Sequence, residues 1–237
     1  MVYTLGVIPA RAASTRFPNK ILAPILGRPM IQHVWEACLK TQLHRCVVAT
    51  DSPEIQAAVA GFGGHAILTP DNIPSGTDRV AWAARELQGD IIVNIQGDEP
   101  LIPPTAIDKL VGVLTQSDSD IATLCVRTAT ALEGENTNVV KVTRDDSGRA
   151  IGFSRHLPFH YHGVEFLKHI GIYAFRRTAL YTFCELPMTS AEKVEKLEQL
   201  RALDNGMKIQ VIEIGQDTIG VDTPGDIARV ESRLKEL

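Results

Sequence analysis

The chain has 237 residues, with 24 basic and 28 acidic side chains, a formal charge of −4, 44% apolar residues and 22% charged residues. That is ordinary globular composition, and the length suffices for a sizeable core without metal or disulfide staples. Four scattered cysteines (Cys38, Cys46, Cys125, Cys184) with no CxxC exclude a zinc ribbon or disulfide framework and point to a reducing, cytoplasmic setting. No apolar run approaches the roughly 20 residues of a membrane span. The opening MVYTLGVIPAR does not read as a signal peptide, and the lack of a Lys/Arg cluster argues against a nucleic-acid partner.

Short β-branched runs alternate with helical patterns, which predicts an α/β fold around a largely parallel sheet. Strand one is expected over Tyr3 to Ile8, and a helix over Pro29 to Lys40 with Ile31, Val34, Trp35 and Cys38 on its buried side. Cys46 to Thr50 reads as strand two, and Ser52-Pro53 as the start of a helix, with serine capping and proline at N1. A third strand is expected at 65–68 and a helix at Gly76 to Leu87. The apolar run Ile91 to Ile95 reads as a central strand buried on both faces. After a helix near 104–116 the spacing changes. Strands near 121–127, 138–143 and 149–154 lie close together around an Asp145-Asp146-Ser147-Gly148 turn, an antiparallel addition to the core. A strand at His169 to Phe175, helices at 177–185 and 190–205, a strand at 208–214 and a helix from Pro224 to Leu237 complete the chain. In the 190–205 helix, Val194, Leu197, Leu200 and Leu203 are expected to form a buried stripe. Glu192, Glu195 and Gln199 share another face, with Glu198 at its side. No linker or repeat divides residues 1–237, so one domain with an inserted subregion at roughly 120–190 is expected.

The loop after strand one, Pro9-Ala10-Arg11-Ala12-Ala13-Ser14-Thr15-Arg16-Phe17-Pro18-Asn19-Lys20, packs three cations and two hydroxyls into ten residues. It lies at the carboxyl edge of the sheet, where open α/β folds bind ligands. Arginine forks and a lysine point charge suit a polyphosphate. There is no GxxxxGK[ST]. The GxGxxA at 61–66 follows a helix and precedes a strand, the reverse of a dinucleotide fingerprint, so it reads as a helix cap. Asp98, in Gln96-Gly97-Asp98-Glu99-Pro100, leaves the central strand at that same edge. Asp222, in Gly220-Val221-Asp222-Thr223-Pro224, precedes the last helix, with Thr223 as the expected N-cap. Read alone, Asp222 suits a turn or cap almost as well as a ligand. Together the two carboxylates can share Mg²⁺, which takes one or two carboxylates plus substrate phosphates.

In order along the chain, the blocks are IPARAASTRFPNK, VATD (48–51), SGTDR (75–79), NIQGDEP (94–100), FSR (153–155), KHIGIYAF (168–175), LEQLRAL (197–203) and GVDTPGD (220–226). This set resembles the 3-deoxy-manno-octulosonate cytidylyltransferases over almost the whole length. The resemblance implies a Rossmann-like three-layer α/β/α nucleotide-diphospho-sugar transferase fold, with the inserted antiparallel subregion joining a homodimer. It implies CMP transfer from CTP to 3-deoxy-D-manno-octulosonate (Kdo) for lipopolysaccharide synthesis, with Mg²⁺. By position, Arg11, Arg16 and Lys20 would hold the CTP phosphates, and Ala10, Ser75, Gly76 and Arg79 would lie by the nucleoside. Asp98 and Asp222 would be Mg²⁺ ligands, with Arg11, Lys20 and the two aspartates the catalytic set. Gln96, Arg155, His169, Tyr173, Glu198 and Gln199 would face the sugar acid.

The residues agree with direct attack of the anomeric hydroxyl on the α-phosphorus, since no enzyme nucleophile is needed. The run Ser154 to His162 departs from the family, which carries a further arginine after an isoleucine-proline-aromatic segment. Histidines or Lys168 take its place, or the pocket suits a modified Kdo such as an amino-substituted one. His156, His160 and His162 lack a supporting Cys or carboxylate pair, so exposed or interface histidines are preferred to a zinc site. Rival readings are a CMP-activating enzyme for another 2-keto sugar acid and a nucleotide-binding regulator without catalysis.

Overall fold

The computed structural model describes residues 1–12, 17–128, 131–157 and 165–236. In chain order these form β1 (Thr4–Ala10), β2 (Pro24–Ile25), β3 (Arg28–Pro29), α1 (Met30–Cys38), β4 (Arg45–Thr50), α2 (Pro53–Gly61), β5 (Ala66–Leu68), α3 (Gly76–Ala84) and β6 (Ile91–Asn94). Then follow α4 (Pro104–Gln116), β7 (Ile121–Thr128), α5 (Ala131–Glu135), β8 (Lys141–Arg144), β9 (Ala150–Ser154), β10 (Phe166–Arg176), α6 (Arg177–Glu185), α7 (Ser190–Glu195), α8 (Gln199–Asp204), β11 (Ile209–Ile214) and α9 (Pro224–Leu234). Two compact units result, one of Met1–Asp108 with Thr218–Leu237, the other of Lys109–Asp217. The subregion expected at 120–190 lies within the second.

In the first unit the strands run β5-β4-β1-β6, all parallel, with Leu5 opposite Arg45 and Thr4 opposite Ile91. Every residue of β6 is buried, so both faces of that strand are covered, as its continuous apolar run requires. The helix starts follow the caps in the sequence. Ser52 Oγ accepts from Ile55 N (3.3 Å) ahead of Pro53, and Ser75 Oγ accepts from Asp78 N (3.0 Å). Thr223 and Asp226 form a reciprocal capping box with Pro224 in the first turn. Helix α9 buries Val230 against Ala23, Ile25, Met30, Leu101 and Val221. Pro29 proves to be the N-cap of α1 rather than its first helical residue, because it belongs to β3; Ile31, Val34, Trp35 and Cys38 are buried as their spacing predicts.

In the second unit β7 lies between β10, antiparallel, and β11, parallel. The expected hairpin is β8–β9. Its turn is closed by Asp145 Oδ1, which accepts from the amides of Ser147 and Arg149 (both 2.9 Å), with Gly148 at φ 82°. Cys125 is buried, and Cys46, in the first unit, is half-buried.

The single helix expected over 190–205 is instead two, α7 and α8, separated at Lys196, whose φ of 54° is left-handed. The cause is an ion pair that a continuous helix forbids. Arg201 grips both carboxylate oxygens of Glu192, at 2.6 and 2.8 Å. Nine residues of straight helix would set them about 13.5 Å apart along the axis. Arg201 also stacks 4.9 Å over the Phe183 ring. Glu192 is therefore buried rather than on an open acidic face, and Val194, expected in the buried stripe, is 80% exposed.

Candidate active site

At the carboxyl edge of the first unit's sheet, three predicted residues meet. Asn19, in left-handed conformation, starts the short 3₁₀ turn Lys20–Leu22, with Lys20 N bonded to Phe17 O at 3.2 Å. The turn sends Lys20 Nζ to Asp98 Oδ2 at 2.5 Å and to 4.0 Å from Asp222 Oδ1. Asp98 and Asp222, distant in sequence, are tied by their backbones, since Val221 N donates to Asp98 O at 2.9 Å. Glycines permit the approach. A Cβ on Gly97 would lie 3.0 Å from Ile21 Cδ1 and 3.3 Å from Pro9 O, and one on Gly220 would lie 2.9 Å from Glu99 Oε1.

The ammonium of Lys20 occupies a position facing two hard carboxylate oxygens, a stand-in for a cation. The donor set fits Mg²⁺, which keeps waters and phosphate oxygens for its other positions. Among the described residues no group of three or more His, Cys, Asp or Glu converges as a metal site. Of the loop histidines, His160 and His162 lie outside the described residues, as does Arg16.

A second cluster gathers the residues expected beside the nucleoside. Ala10 ends β1 opposite Thr50, and Ser75 and Gly76 open α3. Arg11 donates to Ile73 O at 3.1 Å. Arg79, expected beside the nucleoside, is fully buried. It binds Asp51 Oδ2 at 2.8 Å, the Thr69 hydroxyl, and Pro70 O at 3.3 Å. Burial pulls its pKa down, opposed by Asp51. The other oxygen of Asp51 accepts from Ala12 N at 3.2 Å. Asp51 is a residue the site reading missed; the signal for it was an acid immediately after an apolar strand at the ligand edge. Gln96 donates to Asn94 Oδ1 (3.1 Å), and Asn94 donates to Thr77 (3.2 Å), tying the end of β6 to α3.

The remaining predicted sugar residues belong to the second unit. His169 and Tyr173 sit in an aromatic row with Phe153 and Phe175. Burial drives the His169 pKa down to about 3 and the Tyr173 hydroxyl well above its ordinary value. Tyr173, Glu198 and Gln199 line one cavity of about 10 Å³, room for roughly one water rather than a sugar. Arg155 is spent on backbone. Its guanidinium donates to the carbonyls of Glu195 (2.7 Å), Thr137 (3.0 Å) and Lys196 (3.4 Å), satisfying the end of α7. The structure thus gives Arg155 a capping task. A cavity of about 680 Å³ is lined by Arg127, Arg144 and Glu213 among others and by none of the predicted site residues.

A parallel α/β sheet with a lysine and paired carboxylates at its carboxyl edge defines a nucleotide-handling enzyme of the nucleotidyltransferase class. The cytidylyltransferase family matches residues 5–209. The 3-deoxy-manno-octulosonate cytidylyltransferase of Geobacter sulfurreducens is 45% identical, over 97% of this chain and 98% of that protein. That of Syntrophobacter fumaroxidans is 50% identical over 95% and 94%. A solved structure of CMP:2-keto-3-deoxy-manno-octonic acid synthetase complexed with CTP superposes with a TM-score of 0.93 at 39% identity, covering 99% of this chain and all of that one. A putative glucose-1-phosphate thymidylyltransferase from Bacillus anthracis, at 16% identity and a TM-score of 0.74, shares the fold. The chain belongs to the 3-deoxy-manno-octulosonate cytidylyltransferase family.

Proposed function

We propose that the chain transfers CMP from CTP to the anomeric hydroxyl of Kdo, giving CMP-Kdo and pyrophosphate for lipopolysaccharide synthesis. The observation that carries this is the near-complete overlap with a CTP-bound synthetase of that sugar acid. We further infer a cytoplasmic homodimer; among the described residues no helix is long and apolar enough to cross a membrane.

The hydroxyl oxygen attacks the α-phosphorus, the bond from that phosphorus to the bridging oxygen breaks, and pyrophosphate leaves in line. Such a reaction depends on positioning and charge neutralisation rather than on an enzyme nucleophile. Arg11 and Lys20 supply positive charge to the triphosphate, Arg11 as a planar fork and Lys20 as a point charge on a flexible stem. The buried Asp51–Arg79 pair fixes the backbone at Ala12. Ser75 and Gly76, at the mouth of α3, border the nucleoside. Asp98 and Asp222 would hold Mg²⁺, which when bound adds positive charge at the reacting phosphate and favours ionisation of the attacking hydroxyl. Gln96, His169, Tyr173, Glu198 and Gln199 are assigned to the sugar acid, whose hydroxyls suit amide and carboxylate partners. The family arginine missing after Arg155 falls in residues 158–162, outside the described residues.

The test is pyrophosphate release across CTP and UTP with Kdo, an amino-substituted Kdo and sialic acid. Release with CTP and a Kdo-type acid is expected. CTP binding without release from any sugar acid would leave a nucleotide-binding regulator.

A further inference from the structure

Strand β10 departs from regular pairing with β7. Ile170 pairs with Leu124 and Tyr173 with Thr123, so Gly171 and Ile172 are looped out of register. A bulge of this kind frees backbone carbonyls from the ladder. The Thr123 hydroxyl sits among them, 2.8 Å from Ile172 O, 3.3 Å from Ile170 O and 2.9 Å from His169 Nε2.

A threonine hydroxyl has one proton to give and lone pairs with which to accept, whereas a carbonyl only accepts. Were the Thr123 proton spent on His169, both carbonyl oxygens would face hydroxyl lone pairs in a site with no exposure at Thr123. The proton therefore goes to Ile172 O, the nearer carbonyl, and the hydroxyl accepts from the ring. Nε2 then carries the imidazole hydrogen. Burial keeps the ring neutral near pH 7, so Nδ1 is bare. Nδ1 makes no hydrogen bond among the described residues. His169 keeps 9% of its surface exposed. The ring plane is fixed by Phe153, edge-on at 5.0 Å, and by Tyr173 at 5.5 Å.

We propose that Thr123 is a positioning residue: by accepting from Nε2 it holds His169 in one neutral tautomer, whose bare Nδ1 accepts a hydrogen bond from a hydroxyl of the sugar acid. The proposal rests on the reading of the chain as a Kdo-activating enzyme. It gives the bulge in β10 a purpose, since without the looped carbonyls the Thr123 proton would be free to go to the ring.

The experiment is ¹⁵N-resolved NMR of the imidazoles in the intact protein near neutral pH, with His169 assigned by loss of its signals in His169→Gln. The wild type is expected to show the Nε2–H tautomer, Thr123→Val a mixture or the Nδ1–H form, and Thr123→Ser the wild-type pattern. In the same preparations Thr123→Val should raise KM for Kdo roughly 3- to 10-fold, the size of one neutral hydrogen bond, with KM for CTP unchanged. Thr123→Ser should restore it. An Nδ1–H ring in the wild type overturns the proposal, and that reading needs no variant to fold. So does the expected tautomer shift in Thr123→Val with KM for Kdo unaltered, because Nδ1 then meets no sugar. A wild-type protein releasing no pyrophosphate from any sugar acid removes the functional reading, and the sugar half of the proposal with it, whatever the tautomer.

Discussion

Arg79 donates to Asp51 at 2.8 Å from a guanidinium with no exposed surface, while the second oxygen of Asp51 holds the amide of Ala12. One carboxylate thus joins three segments: the cationic loop after β1, the end of β4 and the first turns of α3. Thr69 and Pro70 accept from its other terminal nitrogen. Removing Asp51 leaves a buried cation unpaired, at a cost of about 3–5 kcal/mol. It also releases the backbone amide of Ala12. Asp51→Ala is expected to lower the unfolding midpoint and, measured below that midpoint, to cut kcat/KM for CTP by about 10²-fold, the scale of a misplaced reacting group. Calorimetry and steady-state kinetics separate the two effects. An Asp51→Ala protein of lowered stability but unaltered CTP kinetics would reduce the pair to a structural staple.

Asp98 and Asp222 share the Lys20 ammonium, at 2.5 and 4.0 Å. In that arrangement the lysine competes with any divalent cation for the same oxygens. Asp98→Ala should lower pyrophosphate release by about 10²–10³-fold, as removal of a group stabilising transition-state charge does, with unchanged circular dichroism. Chelation of Mg²⁺ should abolish release reversibly in the wild type. Lys20→Met, by removing the competitor, should bind Mg²⁺ more tightly in calorimetric titration without nucleotide. A folded Asp98→Ala enzyme at near-wild-type rate would remove the metal assignment.

Much of this was legible in the sequence. The parallel core follows from apolar runs such as Ile91 to Asn94, and the caps at Ser52, Ser75 and Thr223 sit where their side chains dictate. The meeting of Lys20, Asp98 and Asp222 was readable because all three lie at one end of parallel strands or at the start of a helix. What was not legible depends on long-range pairing. Periodicity alone cannot see that Arg201 reaches back to Glu192, so it drew one helix through Lys196. Nor does an arginine in a motif reveal whether it faces ligand or backbone. Arg155 binds three carbonyls, and Arg79 is enclosed by Asp51, Thr69 and Pro70.

The fork between Arg201 and Glu192 leads to a prediction about stability rather than catalysis. The two side chains are 11% and 6% exposed. Truncating one partner of so buried a pair costs about 3–5 kcal/mol. At roughly 2–4 °C per kcal/mol for a protein of this size, Glu192→Ala should melt about 6–20 °C lower. A double Glu192→Leu, Arg201→Met variant should recover much of the loss, since apolar replacement of a buried pair is often neutral. If the double variant melts no higher than the single one, the fork contributes through geometry that apolar side chains cannot replace.

The buried ring of His169 makes stability depend on pH in a direction that can be stated. Its folded pKa is depressed to about 3, against roughly 6.5 when unfolded. Between those values the unfolded chain binds a proton that the folded chain refuses. Stability from this group is therefore complete above about pH 6.5 and falls as pH is lowered toward 3. The slope approaches about 1.4 kcal/mol per pH unit below roughly pH 6. The protein's carboxylates add their own acid dependence, so the informative quantity is a difference. Urea unfolding of the wild type and of His169→Gln at pH 7.5, 6.5, 5.5 and 4.5 should give curves of different steepness, the variant's being shallower by that amount. Parallel curves would mean that the folded ring takes up its proton as readily as the unfolded one, and that the site around Thr123 and Phe153 admits a charge.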